Sequence, residues 1–293
     1  MRDVNSTDSQ TESPATPETT DSPQETAGQL PPPAPWSRYV AIGDSFTEGL
    51  WDVQPEDESN CRGWADMLAM NLSHRRIEAG QEPLLYANLA IRGRLLRPII
   101  TEQLPAALAM KPDLVSLIGG GNDILRPNVD VDTLTRNLEA AVVRIRETGA
   151  DVLLGTGIDA SDSPLMGMTR GRVGIFNATV WSIARRHGAF VLDQWGMRAL
   201  KDWRMWAPDR IHLTTDGHRR ISQGALVALG QAPDDERWDD PLSPLPPVPR
   251  LEWARENALW LRQHVAPWAA RRIRKQSSGD ARTAKYPELV PFG

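Results

Sequence analysis

The sequence predicts an α/β protein: a three-layer α/β/α sandwich built on a five-stranded parallel sheet. Five short apolar runs, each flanked by Gly, Asp or Asn, recur between residues 38 and 193, and longer segments with helical periodicity separate them. Continuous apolar runs suit strands that are buried on both faces of a parallel sheet. Strands that alternate with helices in this way form a doubly wound sandwich.

The predicted strands span residues 38–43, 84–90, 113–119, 151–157 and 189–193. Between them, residues 63–80 show helical periodicity, with Trp64, Met67, Leu68, Leu72 and Ile77 near one side. Residues 130–149 show it as well and end at Gly149, as a helix C-cap should. The apolar side of this helix consists of Leu134, Leu138, Ala141, Val142 and Ile145. The core domain is therefore expected to run from residue 36 to residue 232.

Three segments lie outside this core domain. Residues 1–35 are rich in Ser, Thr, Pro, Asp and Glu, and they are predicted to be a disordered acidic tail because they have little to bury. Residues 233–250 form a proline-rich linker, and residues 251–293 an amphipathic helix followed by a basic tail. This helix could dock on the body or cover the active-site edge. Its basic end and tryptophans also permit peripheral contact with an anionic membrane surface.

Composition limits the classes of function. A formal charge of −5 over 293 residues gives no support to a nucleic-acid partner. The single cysteine, Cys61, excludes an internal disulfide and a thiolate-rich metal site, and it fits a reducing compartment. The sequence shows neither a signal-peptide pattern nor an apolar run of the roughly 18 residues that cross a bilayer. These features predict a soluble, cytoplasmic protein.

The first candidate site motif, Gly43-Asp44-Ser45, follows the first strand. A strand that ends in glycine can turn sharply and leave Ser45 exposed at the start of a helix, near the positive end of the helix dipole. The same serine could simply be a helix N-cap. The Gly-x-Ser-x-Gly elbow of lipases is absent, since Thr47 occupies the place of its second glycine. Ser45 is thus a candidate nucleophile that needs support from other motifs.

Two more motifs follow predicted strands. Gly93 could bring a backbone N–H close to a ligand oxygen, or it could be an ordinary turn glycine. Asn122 comes after three consecutive glycines and can aim its amide N–H₂ into a crevice. Because ligands of doubly wound sheets bind beyond the carboxyl ends of the strands, both residues are candidates for the same site as Ser45.

A later loop contains Asp209 and His212, three positions apart. The carboxylate can hold the Nδ1–H of the imidazole and leave Nε2 free as a base. Metal ligation by Asp209, His212, Asp216 and His218 is a rival interpretation, but the chain offers no other matching His or Cys cluster. We expect His218 to have only a structural role. Three tryptophans precede this loop and could wall the substrate pocket, although core packing is the commoner reason for such residues: Trp195, Trp203 and Trp206.

The motifs fit acyl transfer, which needs a nucleophile, a neutral base, an orienting acid and donors for a developing oxyanion. Ser45, His212 and Asp209 supply the first three roles. The N–H groups of Ser45 and Gly93 and the amide of Asn122 can form the oxyanion hole.

With these motifs the sequence resembles the GDSL/SGNH hydrolase superfamily. Its four blocks occur in order within residues 38–230: Gly43-Asp44-Ser45, Gly93, Gly120-Gly121-Asn122-Asp123 and Asp209-Arg210-Ile211-His212. The resemblance implies a flavodoxin-like sandwich, no cofactor, and hydrolysis of esters or removal of acyl groups from sugars and lipids. The serine, glycine, asparagine and histidine of that superfamily map onto Ser45, Gly93, Asn122 and His212, with Asp209 completing the triad. Phe46 departs from the motif, which has leucine there.

Two alternatives stay open. An acyltransferase could use the same triad, with a sugar or alcohol in place of water. A phosphate- or nucleotide-binding module of flavodoxin-like fold could hold a phosphate with Ser45 and Thr47 at the helix N-terminus. The second alternative leaves Asn122, Asp209 and His212 without a role.

Overall fold

The computed structural model describes residues 34–54, 57–159, 166–267, 270 and 279–293. The predicted disordered tail, residues 1–35, lies outside the described residues except for its last two positions. Most of the predicted basic tail, residues 271–278, lies outside them as well.

Within the residues that the structure describes, the central sheet has six strands, five of them parallel. The parallel strands, in chain order, are β1 (Arg38–Gly43), β4 (Leu84–Asn88), β5 (Leu114–Ile118), β6 (Asp151–Gly155) and β7 (Phe190–Leu192). Two short strands, β2 (Val53–Gln54) and β3 (Asp57–Cys61), pair with each other as a separate antiparallel sheet. The sixth strand of the central sheet, β8 (Tyr286–Phe292), lies at one edge, antiparallel to β4.

Helices connect the strands. Those before β6 are α1 (Ser45–Glu48), α2 (Gly63–Glu78), α3 (Leu96–Pro98), α4 (Leu104–Ala109), α5 (Gly121–Ile124) and α6 (Val131–Arg146), with a π turn (Ile99–Gln103) joining α3 to α4. Those after β6 are α7 (Arg170–His187), α8 (Thr215–Ala228) and α9 (Arg250–Trp260), and a second π turn (Leu261–Val265) continues α9. Short 3₁₀ turns cover Met166–Thr169, Ala199–Lys201 and Trp203–Met205. None of the helices in the described residues combines the length and apolar character that crossing a membrane requires.

Alternation along the strands divides the interior into two cores. In β1, Tyr39 and Ala41 join a core that includes α2 and α8, whereas Val40 and Ile42 join one that includes α6 and α7. Successive strand residues point to opposite faces, so an uninterrupted apolar strand serves both layers. This confirms the predicted three-layer sandwich. The five residues predicted to form the apolar side of α6 are all buried.

The prediction of a five-stranded, purely parallel sheet missed β8. This strand pairs Phe292 with Leu84 and Tyr286 with Asn88, so residues 286–292, predicted to be part of a basic tail, belong to the sheet. Two prolines, Pro287 and Pro291, argue against a strand in the sequence, because proline cannot donate to the ladder. An edge strand tolerates them because only one of its sides is paired.

The order of the sheet, β7-β6-β5-β1-β4-β8, determines where a site can form. Counting the parallel strands alone along the chain, their order is 2-1-3-4-5, that of flavodoxin-like sheets. After β1 the chain forms β4 on one side of it and then β5 on the other, so the switch point of the sheet lies at β1. Ligands bind beyond the carboxyl ends of the strands at such a point. The segments that follow β1, β4 and β5 carry Ser45, Gly93 and Asn122, respectively.

Candidate active site

Ser45 is the first residue of α1, and Asp44 caps that helix by accepting a hydrogen bond from the Phe46 backbone N–H at 3.1 Å. The N-cap interpretation of Ser45 is therefore wrong. The turn before it requires glycine, because a Cβ on Gly43 would lie 2.5 Å from the Ile118 carbonyl oxygen and 2.6 Å from Thr47 Oγ1. The tight turn leaves the Ser45 side chain in a cavity at the end of the strands.

Ser45, His212 and Asp209 form one hydrogen-bonded chain. The Asp209 carboxylate Oδ2 lies 2.7 Å from His212 Nδ1, and His212 Nε2 lies 2.9 Å from Ser45 Oγ. Because an ionised carboxylate only accepts, Nδ1 carries the proton and Nε2 is left to accept the hydroxyl hydrogen of Ser45. Residues 167 positions apart in the chain thus meet at proton-transfer distance.

The charge state of Asp209 follows from its surroundings. Burial acts to raise the pKa of its carboxyl, but the hydrogen bond and charge of His212, together with the backbone N–H groups of His212 and Ile211, outweigh burial and lower the pKa to about 2. Both N–H groups donate to Oδ1 at 3.0 Å. Asp209 is therefore ionised throughout the pH range in which a histidine base operates.

Gly93 and Asn122 line the same cavity as Ser45 and His212. Gly93 has φ +74°, a left-handed conformation that favours glycine. Its loop is held by Glu48, whose carboxylate accepts the Arg92 backbone N–H at 2.6 Å and pairs with the Arg92 guanidinium. The Asn122 amide donates to Asp44 Oδ2 at 3.0 Å and to the Arg94 carbonyl at 3.1 Å. Both hydrogens of the Asn122 amide are thus engaged by acceptors next to Ser45 and Gly93, and the amide can donate to another oxygen only by exchanging one of these contacts.

The cavity beside Ser45 has a volume of about 470 Å³. Most of the lining surface is apolar, although polar side chains such as Thr156, Arg170 and Gln194 also line it. The apolar side chains include Phe46, Leu50, Ile118, Ile124, Leu125, Ile158, Val173 and Phe176. The C-terminal segment contributes Gln263, His264 and Pro267 to the same wall. Trp195, Trp203 and Trp206, which were candidates for this wall, are not among the lining residues, whereas Trp51 is.

Two tryptophans outside the sequence motifs of the site contact Asp209. The Trp51 indole N–H donates to Asp209 Oδ2 at 2.8 Å, and the Trp260 indole N–H donates to the Asp209 main-chain carbonyl at 3.0 Å. Both contacts are long-range, spanning 158 and 51 positions, and no local sequence pattern signals them.

His218 borders the same cavity, but its ring is held by backbone groups. It is buried, its Nδ1 accepts the Trp64 backbone N–H at 3.3 Å, and its Nε2–H donates to the Leu50 carbonyl at 3.3 Å. Burial lowers the pKa of His218 to about 4, so the ring is neutral. Within the described ranges, no three His, Cys, Asp or Glu side chains are grouped so that they could hold a metal ion.

Asp44 gives the site a pH-dependent stability. Burial raises the pKa of its carboxyl from 3.8 to about 6, against hydrogen bonds from the Phe46 N–H and the Asn122 amide. A carboxyl that binds its proton more tightly in the folded state costs stability as pH rises, here between pH 4 and 6. This cost is on the order of 3 kcal/mol at pH 7.

We therefore expect the Asp44→Asn variant to gain stability relative to wild type as pH increases from 3.5 to 7, because asparagine has no proton to lose. The measurement is the free energy of unfolding by urea at each pH, with the exposed Asp132→Asn variant as control. Placing a second amide beside Asn122 can itself change the free energy of unfolding, but this change is the same at every pH. A difference between wild type and Asp44→Asn that stays constant from pH 3.5 to 7 would contradict this account.

Fold and site together define a class: an α/β hydrolytic enzyme with a serine–histidine–aspartate arrangement at the switch point of a flavodoxin-like sheet. The GDSL-like Lipase/Acylhydrolase family model matches residues 41–220, which include every candidate site residue. The chain belongs to this family, and its class is that of the carboxylic ester hydrolases. No curated protein sequence gives a significant match.

Solved structures agree with the fold. The chain is similar to LAE5, an α/β hydrolase enzyme from the metagenome of Lake Arreo, Spain, with 24% identity over 66% of this chain and 95% of that one, at a TM-score of 0.56. A variant of Axe2, an acetyl xylan esterase from Geobacillus stearothermophilus, has 20% identity over 68% and 97% of the two chains, at a TM-score of 0.57. TesA has 24% identity over 66% and 97%, at a TM-score of 0.52. At these identities the likeness shows the shared fold.

Proposed function

We propose that the protein is a serine esterase that cleaves carboxylic esters through an acyl-enzyme on Ser45. The observation that carries this proposal is the hydrogen-bonded chain from Asp209 through His212 to Ser45, with distances of 2.7 and 2.9 Å. Such a chain activates a hydroxyl that is otherwise a weak nucleophile at neutral pH.

The proposed reaction has two halves. His212 Nε2 takes the Ser45 proton as Oγ attacks the ester carbonyl, and then donates that proton to the leaving alcohol. Water repeats the sequence on the acyl-enzyme and releases the acid. The N–H groups of Ser45 and Gly93 stabilise the oxyanion of each tetrahedral intermediate, and the Asn122 amide joins them once one of its hydrogens leaves its present acceptor, Asp44 or the Arg94 carbonyl. Removal of one such donor typically costs roughly 10²–10³ in kcat.

A serine-directed phosphonate provides the test of the covalent step. We expect p-nitrophenyl phosphonate esters to inactivate the enzyme with one label per chain, located on Ser45 by peptide mass spectrometry. Asp209→Asn should slow this labelling, because His212 then loses the partner that holds its tautomer. A label on another residue, or none, would contradict the acyl-enzyme.

The apolar cavity leads us to infer that the acyl group is a hydrocarbon chain longer than acetyl. Each buried methylene contributes about 0.8 kcal/mol, so kcat/KM should rise roughly fourfold per carbon until the cavity is full. A panel of p-nitrophenyl esters from acetyl to palmitoyl, assayed beside acetylated sugars, measures this. Preference for acetyl over every longer chain would contradict the inference. Product analysis with added alcohols tests the acyltransferase alternative.

Two further expectations stay predictions. Peripheral membrane contact draws support from the exposure of Leu251, Trp253 and Leu259 on α9. A cytoplasmic location draws support from the single cysteine.

A further inference from the structure

Asp209 is held by indole N–H groups from two directions. The carboxylate oxygen that receives the His212 Nδ1–H, Oδ2, also accepts the Trp51 indole N–H at 2.8 Å. The Trp260 indole N–H reaches the main-chain carbonyl of the same residue at 3.0 Å. One tryptophan thus fixes the carboxylate and the other fixes the backbone that carries it.

The backbone conformation of Trp51 indicates a functional role for its contact with Asp209. Trp51 has φ +77°, a conformation that residues with a side chain rarely adopt. Its side chain is 41% exposed, so the burial of the ring cannot explain the conformation. Backbone strain of this kind concentrates at functional sites, where it places a specific group. The group that it places here is the indole N–H.

The loop that carries Trp51 is fixed from two sides. The neighbouring Asp52 is buried and accepts the Gly63 backbone N–H at 2.9 Å and the Thr215 hydroxyl at 2.6 Å. Gly63 begins α2, and Thr215 begins α8, the helix that follows the His212 loop. Trp51 is therefore anchored to the same framework as the triad histidine.

Trp260 belongs to α9, beyond the residues that match the family. It is 6% exposed, and the Arg210 guanidinium lies over its ring at 5.2 Å. Arg210, with φ +57°, also donates to Asn257 Oδ1 at 2.6 Å. The C-terminal helix is thus attached to the loop of Asp209 through two adjacent residues.

We propose that Trp51 and Trp260 are positioning residues for ester hydrolysis, Trp51 by orienting the Asp209 carboxylate against His212 and Trp260 by fixing the Asp209 backbone. This inference rests on the proposed function. In this arrangement the C-terminal helix is part of the active-site framework. The Trp51 donor also shares the charge of Oδ2, so that the carboxylate holds a protonated His212 less strongly than it would alone.

The experiment compares Trp51→Phe and Trp260→Phe with the control Trp181→Phe in the full chain. Trp181 is 44% exposed, close to Trp51, and lies on α7 outside the cavity. Phenylalanine keeps an aromatic ring and removes the donor. We expect kcat for p-nitrophenyl butyrate to fall about tenfold or more in Trp51→Phe, because a hydrogen bond to a charged group is worth this much. In Trp260→Phe, which loses a hydrogen bond to a neutral carbonyl, kcat should fall about threefold to tenfold, and KM should stay within twofold in both variants.

A pH profile separates positioning from a general loss of structure. In Trp51→Phe the midpoint of the acid limb of the kcat/KM profile should shift to a pH about half a unit higher, because the carboxylate then holds the protonated imidazole more strongly. Trp260→Phe should leave that limb in place, since its contact is to a carbonyl. If folded Trp51→Phe matches Trp181→Phe in both kcat and acid limb, the inference is wrong.

Two further measurements distinguish failure of the positioning role from failure of the proposed function and from misfolding. Ser45→Ala is assayed in parallel, and wild-type turnover in that variant would mean that the proposed function fails. An inactive Ser45→Ala beside a wild-type-like Trp51→Phe would overturn only the positioning role. If Trp51→Phe does not fold, the indole N–H resonances of the ¹⁵N-labelled wild type and of Asp209→Asn are compared. One indole signal should move upfield when the carboxylate becomes an amide, and an unchanged set of indole signals overturns the role of Trp51.

Discussion

Replacing Ser45 by alanine should lower kcat for p-nitrophenyl butyrate by roughly 10⁶, the order of magnitude lost when the nucleophile of a serine triad is removed. The reason is that water must then attack without a covalent intermediate, although His212 and the oxyanion donors are still present. The residual rate comes from those donors and from substrate binding. KM should change little, because a hydroxyl is lost from a cavity whose walls are mostly apolar.

The control for this variant is Ser182→Ala. Ser182 lies on the exposed side of α7 and its hydroxyl donates to the Ala178 carbonyl within the helix. Its removal should leave kcat unchanged and shift thermal unfolding very little. If Ser45→Ala folds, as judged by circular dichroism, and retains more than a tenth of wild-type kcat, Ser45 is not the nucleophile.

The candidate site could be predicted from sequence to the extent that its residues lie at strand ends. Ser45, Gly93 and Asn122 each follow an apolar run, and parallel strands carry their following residues to one edge of the sheet. Asp209 and His212 are three positions apart, so their mutual hydrogen bond is a local feature. Local patterns of this kind predict the placement of site residues without knowledge of any tertiary contact.

Other parts of the site depend on contacts that no local pattern encodes. Trp51 reaches Asp209 only because the loop after α1 adopts a left-handed conformation. The strand β8 forms only where the edge of β4 is already in place, and its two prolines conceal it in the sequence. Both features come from tertiary structure overriding local preference.

Lys285, which the composition of the C-terminus suggests is a solvated basic residue, is buried beside the start of β8. Its Nζ lies 2.8 Å from Asp66 Oδ2 and 2.6 to 2.7 Å from the carbonyl oxygens of Glu48, Cys61 and Arg62. The side chains of Lys285 and Asp66 are 9% and 3% exposed. Four acceptors surround an ammonium with three hydrogens, so its charge is fully satisfied. This lysine joins the C-terminal strand to the helix that begins at Ser45.

Asp66 depends on that ammonium. Burial raises the pKa of its carboxyl, although Lys285, the Tyr86 hydroxyl and the Asn88 amide all act to lower it. Removing one partner of a buried pair leaves an uncompensated charge, which typically costs about 3–5 kcal/mol. The carboxylate can relieve part of this cost by taking up a proton, and it does so more readily at low pH.

We therefore expect Lys285→Met to lose about 3–5 kcal/mol of unfolding free energy at pH 8 and measurably less at pH 5, with urea unfolding as the measurement. Methionine keeps the length of the side chain, so the loss reports on charge rather than on volume. Adding Asp66→Asn should recover part of the stability at pH 8, because the unpaired charge is then gone. The exposed Lys201→Met serves as control and should stay within about 0.5 kcal/mol of wild type. A pH-independent loss, or a double variant no more stable than Lys285→Met at pH 8, would show that Lys285 acts through packing rather than through its charge on Asp66.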